Sequence, residues 1–188
     1  TCIPLIVANG AGGDTSDGNA KGQPNTTLGS SITVTPTSDE GGGSAVTGKQ
    51  TTPISSTATA GRGDQSSSDP NSGGWLSDGA DPSGQTGVGG HGFRTDLIGG
   101  NRSNNTAGYG GFGGGSGGYD EYGSAGGGFT GAHGEDNSTV TGHGSSFVND
   151  DNEGNVSVTL NSSNNSYQTT DFTSASQYQG WVRIQFVE

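Results

Sequence analysis

The chain has 188 residues, 40 of them glycine, and carries 18 Asp and Glu against six Lys and Arg, a formal net charge of −12. Val, Ile, Leu and Phe make up about one residue in seven, below the roughly one in five under which charged chains tend not to fold. A large oily core is therefore excluded, and so are nucleic acid and anionic membrane surfaces as partners, because few cations are on hand to meet phosphate.

A basic protein surface or a divalent cation suits this charge better. No apolar run approaches the roughly 18 residues of a membrane span. The chain holds no methionine and begins at Thr1, which reads as a mature or excised fragment. Cys2 is the single cysteine. At the start of a secreted fragment it is a candidate for a disulfide to another chain, and equally a free or buried thiol.

In chain order, Ile3 to Ala8 is a short apolar run ended by Asn9-Gly10, which predicts a buried strand. Pro4 sets the start of that strand at an edge or end. Gly, Asp, Ser and Asn then predict a loop as far as about Lys21. Ser31 to Thr35 alternates and predicts a brief strand. Gly41 to Gly43 and a Thr/Ser-rich stretch with Arg62-Gly63-Asp64 follow as polar loop. Trp75-Leu76, Phe93 and Leu97-Ile98 are isolated apolar anchors among turns, each expected to pin a loop onto a glycine layer.

The stretch Gly108 to Gly134 carries that layer. Glycine recurs every third residue at Gly108, Gly111, Gly114 and Gly117, with a second phase at Gly110 and Gly113. Three residues make one turn of a polyproline-II-type helix, and without a Cβ such helices can lie backbone to backbone. Tyr109 and Phe112 then occupy a separate face. The same composition also describes a flexible Gly/Ser linker.

The pattern changes at His143. Ser145 to Asn149, Asn155 to Leu160 and Trp181 to Val187 alternate with period two, as strands of a half-buried antiparallel sheet do. No segment keeps helical periodicity for three turns. The expected architecture is all-β, with a first strand at 1–8, a glycine-rich insertion at 9–142 and C-terminal strands at 143–188.

Five pieces in order carry a resemblance: Leu5-Ile6-Val7-Ala8, the Gly108 to Gly115 run with Tyr109 and Phe112, Gly126-Gly127-Gly128-Phe129, Gly144-Ser145-Ser146-Phe147, and Gly180-Trp181-Val182-Arg183-Ile184. Together they resemble the glycine-rich domain of the anaplastic lymphoma kinase and leukocyte tyrosine kinase receptors. The match covers both ends and the last 80 or so residues, while residues 14 to 107 are not matched in detail. The resemblance implies a jelly-roll-like β-sandwich with inserted polyglycine-II helices, an extracellular or cell-surface setting, and recognition rather than catalysis. Members of that family carry strands upstream of the first matched one. Here two residues precede the Ile3 run, so the sandwich is expected to be incomplete and to be filled by an upstream chain or by a neighbouring copy. No ligand-binding residue of the receptors carries over.

Asn-X-Ser/Thr occurs at Asn25, Asn101, Asn104, Asn137, Asn155, Asn161 and Asn164, more often than abundant Ser and Thr would produce by chance, and fits a secreted glycoprotein. Arg62-Gly63-Asp64 resembles the tripeptide of integrin ligands, in a polar Thr/Ser loop where it could be exposed, although a three-residue match is cheap. His91, His133 and His143, with Glu135 and Asp136, follow no zinc spacing and read better as loop histidines bonded to backbone. Asn149 to Gly154 starts like a calcium loop, but Leu160 stands where its last carboxylate belongs. There is no Gly-X-Ser-X-Gly elbow and no phosphate loop, and carboxylates such as Asp120 and Glu121 have nothing apolar nearby to tune them.

The sequence is thus read as a non-enzymatic recognition or adhesion module without a cofactor, meeting a protein or a glycan. Trp75, Tyr109, Phe112, Tyr119 and Tyr122 are its contact candidates, with packing on the glycine layer the alternative role for each. A structural subunit of a fibre or coat, assembled by strand donation between copies, is the second reading.

Overall fold

The computed structural model describes residues 4–10, 27–54, 56–101, 109–111, 113–118, 123–134 and 142–150. Cys2 and the expected strands Asn155–Leu160 and Trp181–Val187 lie outside them. Among these residues four strands, β1 (Ile6–Val7), β2 (Leu28–Val34), β3 (Val46–Thr51) and β4 (Phe147–Asn149), form one antiparallel sheet in the order β1-β4-β3-β2. No helix occurs among the described residues, so the described region is all-β.

β2 alternates where it counts: Ile32 and Val34 face inward while Ser31 and Thr33 face solvent. The pairing of Val34 with Val46 and of Ile32 with Gly48 fixes its register on β3. β3 itself, Val-Thr-Gly-Lys-Gln-Thr, has one large apolar residue and gives no strand signal in the sequence. The reason is Gly48. A Cβ there would stand 2.4 Å from Phe147 Cζ and 2.3 Å from the Val148 carbonyl oxygen. The ring of Phe147 on β4 fills the space a β3 side chain would take, so the apolar content of β3 is supplied from the neighbouring strand.

The brief strand expected at Ser31–Thr35 overlaps β2, and residues 28–34 and 46–51, which lie within the stretch read as the insertion, are strands of the sheet. β3 and β4 are antiparallel neighbours, with Lys49 opposite Val148. The chain leaves the sheet after Thr51 and returns at Phe147, so the glycine-rich stretch between them hangs from two adjacent strands.

Within that stretch many backbone hydrogen bonds of the described residues go to distant segments. Gly79 N donates to Gly90 O (2.9 Å), Gly90 N to Asn71 O (2.9 Å), Gly117 N to Val88 O (2.8 Å), Gly100 N to Gly115 O (2.9 Å) and Ser116 N to Ala125 O (2.9 Å). Such pairing satisfies buried backbone groups without a regular ladder, at about 0.5–1.5 kcal/mol net per bond. Glycine is what allows the approach: a Cβ would come within 2.0 Å of Gly114 O at Gly90, 1.8 Å of Val88 O at Gly100 and 1.7 Å of His133 O at Gly142. Main chain lies directly on main chain.

A small apolar core joins this layer to the sheet. Val34, Val46, Trp75, Leu76, Phe129 and Phe147 are buried together. Phe129 stacks on Phe147 (centroids 3.9 Å, 12°) and Trp75 on Phe129 (5.6 Å, 14°). The Arg94 guanidinium caps the column 5.2 Å from the Trp75 ring and donates to the carbonyls of Glu40 and Gly42. Those carbonyls are presented by the 37–42 turn, closed by Gly42 N to Thr37 O (2.8 Å) and by the Thr37 amide and hydroxyl on Glu40 Oε2 (2.8 and 3.0 Å). Removing Arg94 takes away a partly desolvated cation–π contact and two charged donors. Arg94→Ala is expected to destabilise by about 2 kcal/mol, a fall of roughly 4–8 °C in melting temperature. Arg94→Lys should lose about half of that.

Candidate functional site

The Arg62-Gly63-Asp64 tripeptide turns inward. Arg62 Nε lies 2.6 Å from Glu40 Oε1 and its Nη2 donates to Oε2 at 3.0 Å, a two-point clamp between the insertion and the 37–42 turn. Gly63 nests against the Asp78 carbonyl, 2.3 Å from where its Cβ would be. Asp64 is fully buried and accepts from Thr57 N (2.7 Å), Thr57 Oγ1 (3.0 Å), Ala58 N (3.2 Å) and Ser66 N (3.0 Å). Burial pushes its carboxyl up, but the His133 ring 3.3 Å away and the amides of Thr57 and Ser66 outweigh that and hold it well below the usual carboxylate range. All three residues act inside the fold. The expectation of an exposed tripeptide is corrected.

The three histidines do not meet. His133 sits on Asp64. His143 is buried, its Nδ1 3.0 Å from Gly144 O and 3.5 Å from Asn9 Nδ2. His91 pairs with Asp96. Among the described residues no three metal-binding groups come together.

Of the contact candidates, Trp75 is 2% exposed and belongs to the aromatic column, which removes it as a contact residue; Tyr109 is 65% exposed. Phe112, Tyr119 and Tyr122 lie outside the described residues. So do the sequons at Asn25, Asn104, Asn137, Asn155, Asn161 and Asn164. Asn101 is exposed. The apolar anchors divide likewise. Trp75 and Leu76 pin their loop as expected, whereas Phe93 and Ile98, at 48% and 56% exposed, face solvent.

Phe93 and Ile98 belong to a loop over residues 91–98. A nested backbone layer needs glycine at close spacing, and His-Gly-Phe-Arg-Thr-Asp-Leu-Ile offers one in eight residues, so this run must leave the layer. That was the signal available in the sequence. The loop closes through His91 N to Ile98 O (2.8 Å), with Thr95 N and Leu97 N both donating to Gly92 O (3.1 and 3.3 Å). Its base is tied down by Gly92 N and Thr95 Oγ1 on Asp78 Oδ1, each at 2.7 Å, and by Phe93 N on Gly74 O at 3.0 Å.

Leu97 has φ 60°, a left-handed conformation that disfavours a residue with a Cβ by about 1–2 kcal/mol. It is held by its carbonyl, which accepts from Gly113 N and Gly114 N (3.1 and 3.3 Å). Strain of this kind persists only where surrounding structure enforces it. The loop is therefore clamped to the glycine layer, and its tip is set before any ligand arrives.

The tip is also charged. Asp96 Oδ1 accepts from Ile98 N (3.0 Å) and pairs with His91 Nδ1 (2.7 Å). The Ile98 amide first, and then His91, hold the Asp96 carboxyl below its ordinary range, so it is an anion at neutral pH. On the neighbouring segment, Gly110 packs on Gly99, whose Cβ would fall 2.1 Å from Gly110 O; the residues that precede these two glycines in the chain, Tyr109 and Ile98, are both exposed. Exposed Phe93 and Ile98, on the loop that carries the His91–Asp96 pair, form the candidate contact surface, with exposed Tyr109 on the neighbouring segment. No protein-family model, no curated protein and no solved structure matches the chain.

Proposed function

We propose that the chain is a non-enzymatic extracellular or cell-surface recognition module that meets its ligand with the 91–98 loop. The observation that carries this reading is a strained, clamped loop exposing Phe93 and Ile98 at 48% and 56%. A tip fixed in advance loses little conformational freedom on binding, and exposed aromatic rings are efficient contact groups.

In this reading the glycine segments are polyglycine-II-type helices packed side by side, and the sheet is one face of an incomplete jelly-roll-like sandwich, as in the receptor domains the sequence resembles. The nested glycines at Gly90, Gly100 and Gly142 support the side-by-side packing. Asn101, the one sequon asparagine among the described residues, is exposed and open to carry a glycan in a eukaryotic secretory pathway.

The test is to immobilise the full chain against arrays of extracellular proteins and glycans. A saturable binder is expected, lost in the Phe93→Ala/Ile98→Ser double variant while the melting temperature stays within about 2 °C. An array without binders, or binders indifferent to the double variant, would overturn the proposal.

The sheet edges favour a second reading, a fibre or coat subunit built by strand donation. Among the described residues β1 ends the sheet, with Leu5 and Ile6 at 49% and 39% exposed, and an apolar edge strand is a template for another strand. Sedimentation over a wide dilution range separates the two readings, since an enduring monomer rules out donation between copies.

A further inference from the structure

We propose that the 91–98 loop is a docking surface for a basic protein segment, with an arginine or lysine of that segment set against Asp96 and the exposed ring of Phe93. This inference rests on the recognition reading above and specifies its partner.

Phe93 and Asp96 lie three residues apart on one turn, closed by Thr95 N and Leu97 N on Gly92 O (3.1 and 3.3 Å), and both are exposed. Asp96 Oδ1 is engaged by Ile98 N and His91 Nδ1 (3.0 and 2.7 Å), which orients the carboxylate. Its Oδ2 accepts nothing among the described residues, so a charged donor has a pre-set acceptor to meet. An exposed aromatic ring and a carboxylate three residues apart on one turn can together hold a guanidinium or ammonium group, by cation–π attraction and a charged hydrogen bond.

The surrounding charge points the same way. Asp78 stands at the base of the same loop, its Oδ1 held by Gly92 N and Thr95 Oγ1. Beyond His91, which engages Oδ1, no lysine or arginine among the described residues pairs with Asp96. Arg62 is committed to Glu40, Arg94 to two carbonyls and the Trp75 ring, and Lys49 lies on β3 in the sheet. The net charge of −12 adds a long-range field that draws a basic partner in and repels an acidic one.

The experiment uses the full chain and three synthetic peptides of alternating glycine with arginine, lysine or citrulline, together with a set of neutral oligosaccharides, by titration calorimetry. Citrulline keeps the shape of arginine and removes its charge. The arginine peptide is expected to bind, the citrulline peptide at least about tenfold more weakly, and binding should weaken as salt rises from about 50 to about 300 mM. Asp96→Asn, which keeps an acceptor for Ile98 N and His91, should lose about tenfold, Phe93→Ala about fivefold, and Lys49→Ala nothing.

Equal binding of the citrulline peptide overturns the inference, as does full affinity in Asp96→Asn. An oligosaccharide that binds and is lost in Phe93→Ala, with no peptide binding, overturns the basic partner while leaving the recognition module standing. A surface that binds neither these probes nor any member of the arrays overturns both.

Discussion

Gly100→Ala is expected to destabilise the protein by more than about 4 kcal/mol, the range reserved for changes the fold has no way to absorb. An added Cβ would lie 1.8 Å from Val88 O and 2.7 Å from Gly117 N, and both obstacles are backbone, with no rotamer to change. Nor can the segment slide away, because Gly100 N donates to Gly115 O and its carbonyl accepts from Gly110 N (2.9 and 2.8 Å). In an ordinary core, overpacking costs roughly 1–3 kcal/mol because side chains shift. Here the methyl group must force adjacent main chains apart and break their hydrogen bonds. Calorimetric melting should show a fall of roughly 8–16 °C, or no folded protein at all. Gly111→Ala is the control. Nothing lies within 4 Å of a Cβ there, and its stability should change by no more than about 0.5 kcal/mol. If the two variants melt alike, close backbone nesting does not hold this layer together.

Asp64→Ala should rank second, at about 3–5 kcal/mol. It strips the acceptor from Thr57 N, Thr57 Oγ1, Ala58 N and Ser66 N and leaves His133 beside an empty place. Asp64 also sets a pH dependence. Its folded carboxyl lies below its unfolded value, so across the acid range the unfolded state binds the additional proton. The stabilisation is therefore complete above the ordinary value of about 3.9 and drains away as pH falls below it. Urea unfolding at neutral and acid pH should show a steep acid loss in the parent and a shallower one in Asp64→Ala, with the gap between them narrowing as pH drops. A gap that holds constant to the acid end would show that Asp64 does not stabilise the fold as a carboxylate.

The residues of the candidate site differ in how well a linear reading reaches them. Tyr109 stands out in the sequence because it breaks a glycine run, and it is exposed. Trp75 stands out for the same reason and lies in the core, because Phe129 and Arg94, separate from it in the chain, both pack on its ring. Phe93 and Ile98 read as anchors of the same kind. They face solvent because the loop that carries them is fastened through backbone atoms and the Asp78 carboxylate, leaving their side chains free.

What the sequence by itself determined is the kind of cohesion available. With so few apolar side chains and 40 glycines, main chain has to pack on main chain, and the alternating Ser145 to Asn149 stretch has to return to a sheet. What only the tertiary structure decided is which residues the layer keeps and which it shows. β3 is a strand because Phe147 fills the gap over Gly48, and Arg62-Gly63-Asp64 is internal because Glu40 and His133 receive it. In each case the partner is distant in the chain. Local periodicity reports a residue's own side chain, whereas burial is set by what other segments bring against it.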